Sequence, residues 1–176
     1  ILGTTIKGQG LAEIDQVLDL LMRQPATAKF LSQKLAQFFV ADDASDALVQ
    51  SMAKQFLLTK GDIPSVLKTM FESSEFVASL GKKFKDPMHY VISSVRLAYE
   101  DKMIVNTGPI LNWINTLGQQ ANGHQTPDGY SMKEMALSSP AQMTARFDVA
   151  RLIARGAPNL FKADAEETTA QHREAA

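Results

Sequence analysis

Four side chains in this 176-residue sequence have types that could do chemistry: His124, Asp128, Tyr130 and Arg146. His124 stands four residues before Asp128, so it could serve as a base or a ligand beside a carboxylate. The segment Thr126-Pro127-Asp128-Gly129 is a turn with a mechanism: proline presets φ, aspartate bonds nearby backbone, and glycine permits φ > 0. It would present Tyr130, an aromatic ring with a polar tip, to a ligand or onto the helices beneath. Arg146 could hold an anion through parallel N–H groups, or pair with a carboxylate or a helix C-terminus. Each of the four also has a plain structural role open to it, as a solvated loop side chain, a plug or an ion-pair partner.

Other combinations read as structure. His89 follows Asp86-Pro87, where it completes a first helical turn, and His172 falls in a polar tail. A metal site needs several ligands at workable spacing, and three dispersed histidines do not supply them, so no metal is expected. Asp42-Asp43 stand before a helix, where acids act as caps and first-turn charges. Lys82-Lys83-Phe84-Lys85 reads as a solvated connector. The methionines, such as Met52, Met70, Met88 and Met143, fall on helical stripes as core filler. There is no P-loop, dinucleotide-binding fingerprint, GxSxG elbow or HExxH, so no cofactor is expected.

The elements that must position these residues are helical. Leu11, Ile14, Val17, Leu18 and Leu21 share one helical face, after a flexible Gly8-Gln9-Gly10 turn. Pro25 suits the first turn of a second helix, which runs to about Val40 with Leu31, Leu35, Phe38 and Phe39 on its stripe. Asp42 to Ser45 can cap a third, carrying Leu48, Met52 and Phe56. Lys60-Gly61-Asp62 stops that helix and starts a fourth, with Ile63, Val66, Leu67, Met70 and Phe71 as its apolar face. Ser74-Glu75-Phe76 begins a short extra turn. Asp86-Pro87 opens a helix striped by Met88, Val91, Ile92, Val95, Ala98 and Tyr99. Asn106 to Pro109 opens another, with Ile110, Leu111, Ile114 and Leu117. Ser139-Pro140 opens the last, lined by Met143, Phe147, Ala150 and Ala154 and closed by Gly156 and Pro158.

The expected fold is all-α: one compact domain of about seven helices over residues 1–162. A short extended segment over Ile1–Ile6 and a long irregular loop near 118–138 interrupt it. Loops of that length inside a compact domain are often functional. Residues 163–176 carry no large apolar side chain and read as a frayed or disordered tail. The apolar start, without methionine or a charged leader, is expected to be a cut inside a longer protein. Eighteen basic against 19 acidic residues is not the footprint of a nucleic-acid binder. The absence of cysteine excludes disulfide, thiolate-metal and thiol chemistry from this chain. No apolar run approaches the roughly 18 residues that span a membrane.

The ordered motifs resemble a large bacterial family, the domain of unknown function 1800. Gln24-Pro25-Ala26-Thr27-Ala28-Lys29-Phe30, Lys34-Leu35 and Phe39-Val40-Ala41-Asp42 resemble its opening signature. Gly61-Asp62-Ile63, Glu75-Phe76, Lys85-x-Pro87, Leu117-Gly118-Gln119, Pro127-x-Gly129-Tyr130, Ser139-Pro140 and Arg146-Phe147 follow in the family's order. The resemblance covers about residues 1–155. It departs at Gln24, where members usually carry histidine, and at Asp148, where asparagine is frequent. It implies the C-terminal part of a longer, often exported chain, and so a periplasmic or exported location. It implies no activity.

Two functions are therefore expected. The first is a helical binding or assembly domain, partnered by the missing N-terminal part of the same chain or by another protein. The second is part of an envelope hydrolase or transferase working through the 118–138 loop, with His124, Asp128, Tyr130 and Arg146 as its candidate residues. Whether the chain is an enzyme is open at this point.

Overall fold

A computed structural model of the protein describes residues 1–8 and 10–162. Gln9, the residue-163–176 tail and His172 lie outside the described residues. The all-α expectation holds: no strand occurs among the described residues. The helices are α1 (Ala12–Met22), α2 (Pro25–Phe39), α3 (Asp46–Leu58), α4 (Ile63–Phe71), α5 (Ser74–Ser79), α6 (Pro87–Tyr99), α7 (Gly108–Thr116), α8 (Glu134–Leu137) and α9 (Pro140–Ala154), before a 3-10 turn, Pro158–Phe161. Seven of these helices have nine residues or more, matching the seven legible stripes. The extended segment is corrected: Ile1–Thr4 closes a turn, with the Thr4 N–H donating to the Ile1 carbonyl at 2.9 Å, and no ladder forms.

Of the described residues, those from Ile1 to Lys83 form one compact unit and those from Phe84 to Lys162 a second. In the first, α2 packs on α3 and α3 on α4. Val49, Met52, Phe56, Val66 and Met70 are buried there. The buried face of α2 is not the large-residue stripe but Ala28, Ser32 and Ala36. Small residues at i, i+4 and i+8 let the α3 backbone approach, so Leu31, Leu35 and Phe39 flank the contact half-buried. In the second unit, α6 packs on α7 and α9 over Val91, Val95, Ile114, Leu117, Val149, Ile153 and Leu160.

Helix boundaries follow cap chemistry. Ser45, Asp62, Ser73, Asp86 and Ser139 each accept a first-turn backbone N–H of the helix they precede. Ser139 and Gln142 complete a reciprocal capping box on α9. Ser45 caps α3. Asp42 instead pairs with Lys83, and Glu75 accepts the Ser45 N–H at 2.8 Å, tying the 42–45 turn to α5.

The α3 stop is a Schellman turn. The Gly61 N–H donates to the Phe56 carbonyl at 2.8 Å, and the Lys60 N–H to that of Leu57 at 3.3 Å. Both Lys60 (φ 56°) and Gly61 (φ 90°) are left-handed. A Cβ on Gly61 would also fall 1.9 Å from the Met22 methyl. We expect Gly61→Ala to destabilise the protein by about 1–2 kcal/mol, and Lys60→Gly to stabilise it by a few tenths to about 1 kcal/mol. Chemical denaturation of the two variants checks both signs.

Candidate functional site

The sequence candidates separate into two groups. His124, Asp128 and Tyr130 come together on the irregular run between α7 and α8. Proline, aspartate and glycine build the expected turn, in which the Gly129 N–H donates to the Thr126 carbonyl at 3.3 Å with Gly129 at φ 73°. The Thr126 hydroxyl donates to the Asp128 carboxylate. The His124 ring nitrogen Nδ1 lies 4.0 Å from that carboxylate and 3.1 Å from the Thr126 carbonyl. The Tyr130 ring meets His124 edge-on at 4.8 Å between centroids. The loop thus folds on its own side chains. Its acid is bathed in solvent, with the Asp128 side chain 78% exposed, so water screens the His124–Asp128 pair.

Gln119, at the head of the same loop, was not read as a positioning residue. Its side-chain oxygen accepts the Met88 N–H at 2.8 Å, satisfying a first-turn donor of α6. Gly118 (φ 86°) makes that reach possible by turning the chain at the end of α7. The signal was the Leu117-Gly118-Gln119 triplet, a helix stop followed by a long amide.

Arg146 belongs to a different cluster. The expected α9 stripe is corrected here. Phe147 is exposed, while Arg146, Val149 and Ile153 are the buried residues, a face turned by one residue. The guanidinium carbon sits 4.6 Å from the Phe84 ring centroid and 4.9 Å from that of Tyr90. Two aromatic faces therefore accommodate the cation that hydropathy would send outward. Tyrosines of α6 also hold α9 by its backbone: the Tyr90 hydroxyl donates to the Arg146 carbonyl at 3.0 Å, and that of Tyr99 to the Ile153 carbonyl. Burial pushes the Arg146 guanidinium below its ordinary pKa, while Tyr90 and Asp86 act in the opposite direction.

His89 completes the first turn of α6: its N–H donates to the Asp86 carboxylate at 2.9 Å, and its ring nitrogen Nδ1 stands 2.6 Å from the second oxygen. Cavities of about 770 and 360 Å³ open in the second unit, one along α6 beside Ile92 and Leu97 and one beside Trp113 and Leu152. None of the four candidates lines either. Among the described residues no three histidine or acidic side chains gather as a metal site, and no helix is long and apolar enough to cross a membrane.

The apolar face read on α1 is present, but the structure leaves it in solvent. None of its residues is buried. Leu11 is 82% exposed, Ile14 55% and Leu18 53%, and Leu21 is also exposed. These residues recur at i, i+3, i+7 and i+10, the a/d spacing of a helix–helix seam. Met22 alone from this helix packs against the first core, with Val17 and Leu20 half-buried. Glu13, Asp15 and Asp19 make α1 acidic, with no basic residue in its span.

A family model described as protein of unknown function (DUF1800) matches residues 1–176. No curated protein and no solved structure matches the chain.

Replacing Gln119 by alanine should leave the Met88 N–H without its acceptor and cost about 0.5–2 kcal/mol, the range of a lost cap. Thermal unfolding measures it, together with faster hydrogen exchange confined to the first turn of α6.

Proposed function

We infer the function from one premise: the chain belongs to DUF1800, a family of proteins of unknown function. That description carries no activity, so the α1 seam has to carry the reading. This chain is a helical binding and assembly unit, and α1 is its docking element. An 11-residue helix with no buried residue is marginal in water, because short helices draw their stability from a packed apolar face. The a/d spacing of Leu11, Ile14, Leu18 and Leu21 suits a partner that is itself a helix with an apolar seam. The acids beside the seam suit basic flanks on that helix. The occupant is the polypeptide that the family resemblance places upstream of Ile1.

The single observation behind this reading is the exposed a/d seam. The test compares the 176-residue chain with the longer protein that includes the upstream polypeptide. In the longer protein, Ile14→Asp with Leu18→Asp should cost about 2–5 kcal/mol, as for deleted core contacts. In the chain alone it should change stability by no more than about 0.5 kcal/mol. Amides of α1 should exchange fast in the chain alone and slowly in the longer protein. Equal, fast exchange in both would sink the proposal. A concentration-dependent dimer of the chain, abolished by the double substitution, would assign the seam to a second copy and overturn the upstream occupant.

A further inference from the structure

We propose that Arg146 anchors an oxyanion-binding site, taking two oxygens of a carboxylate or phosphate on one edge of its guanidinium. The side chain is only 6% exposed. Phe84 and Tyr90 lie against it, their ring centroids 4.6 and 4.9 Å from the guanidinium carbon. Nε and Nη2 are buried, and among the described residues no group accepts from either. These two nitrogens form the same side of the guanidinium, and their N–H bonds run nearly parallel. That is the fork that matches two oxygens of a single carboxylate or phosphate.

The neighbours are already committed. Asp86, whose charge acts on Arg146, caps α6 and holds the His89 ring, and among the described residues none accepts a hydrogen bond from Arg146 Nε or Nη2. The Tyr90 hydroxyl is spent on the Arg146 main-chain carbonyl, which fixes the helix and leaves the fork unanswered. Aromatic faces attract a cation but do not replace in-plane hydrogen bonds, and buried donors without acceptors are strongly disfavoured. A buried cation is disfavoured further unless a counter-charge meets it, which favours an anion over a water molecule at the fork. Tyr90 is held by its helix and its hydrogen bond. Phe84 stands on the non-helical connector before α6 and is half-exposed.

The test reads Arg146 itself. In the 176-residue chain labelled with ¹⁵N-arginine, the Arg146 Nε–H resonance is followed by NMR. Sodium phosphate, sodium acetate and sodium chloride are titrated at matched ionic strength. The expected result is a saturable shift with phosphate or acetate and none with chloride, accompanied by a rise in melting temperature. A response to phosphate alone marks a phosphate site, and a response to acetate alone a carboxylate site. Arg146→Lys keeps the charge but loses the fork, so binding should weaken about tenfold or more. A resonance that does not move with phosphate or acetate, or moves equally with chloride, overturns the proposal. That outcome is read on the unsubstituted protein and stands even if the lysine variant does not fold. It is also independent of the α1 seam, because neither measurement involves that helix.

Discussion

Helices of nine to fifteen residues do not hold together in water unless a face of each is buried, and this constraint organises the chain. Six of the seven long helices meet it within their own unit. In the first, α2, α3 and α4 bring Ala28, Ala36, Val49, Met52, Phe56, Val66 and Met70 into one cluster. In the second, α6, α7 and α9 do the same with Val91, Val95, Ile114, Leu117, Val149 and Ile153. The seventh, α1, leaves its most regular stripe in solvent. An apolar stripe that continues along a helix with nothing over it differs from scattered surface leucines, and it is the recognised mark of an interaction face.

Much of the fold was legible because its boundaries are written in cap chemistry. Aspartate or serine followed closely by proline marks the starts of α4, α6 and α9, since the side chain answers a first-turn donor and proline has none to lose. The period of the apolar residues then places the helices. What periodicity does not resolve is which of two adjacent stripes turns inward. On α2 the reading followed Leu31, Leu35 and Phe38, but the contact centres on Ala28, Ser32 and Ala36, because backbone approach is limited by the smallest side chains between two helices. On α9 it followed Phe147, but the helix turns Arg146 inward. A hydropathy stripe counts transfer free energies of isolated side chains, whereas burial is decided by what stands opposite.

The candidate residues divide along the same line. His124, Asp128 and Tyr130 were legible as a group because all lie within seven residues, and the Pro-Asp-Gly turn dictates their proximity. The partners of Arg146 were not, because Phe84 and Tyr90 are 62 and 56 residues away in sequence and reach it only through the packing of α6 on α9. Gln119 was hidden for a similar reason, since its partner is a backbone N–H on another helix.

Where every level of a sequence agrees, the residue is explained by the fold. Departures are informative, because stability has been given up there. Two departures stand out, and they differ in kind. The α1 seam violates burial: four large apolar side chains meet water, a deficit that only another apolar surface relieves. Arg146 violates polar satisfaction: a cation leaves water and, among the described residues, its fork meets no acceptor, a deficit that an oxygen acceptor relieves. A methionine or leucine at position 146 would fill the space between Phe84 and Tyr90 without that penalty, so the packing of α9 does not by itself call for a guanidinium. The same comparison applied to α1 gives the opposite substitution, since polar residues at 11, 14, 18 and 21 would satisfy this chain better than the leucines and isoleucine it carries. In both places the residue present is one that the fold of the described residues does not itself call for.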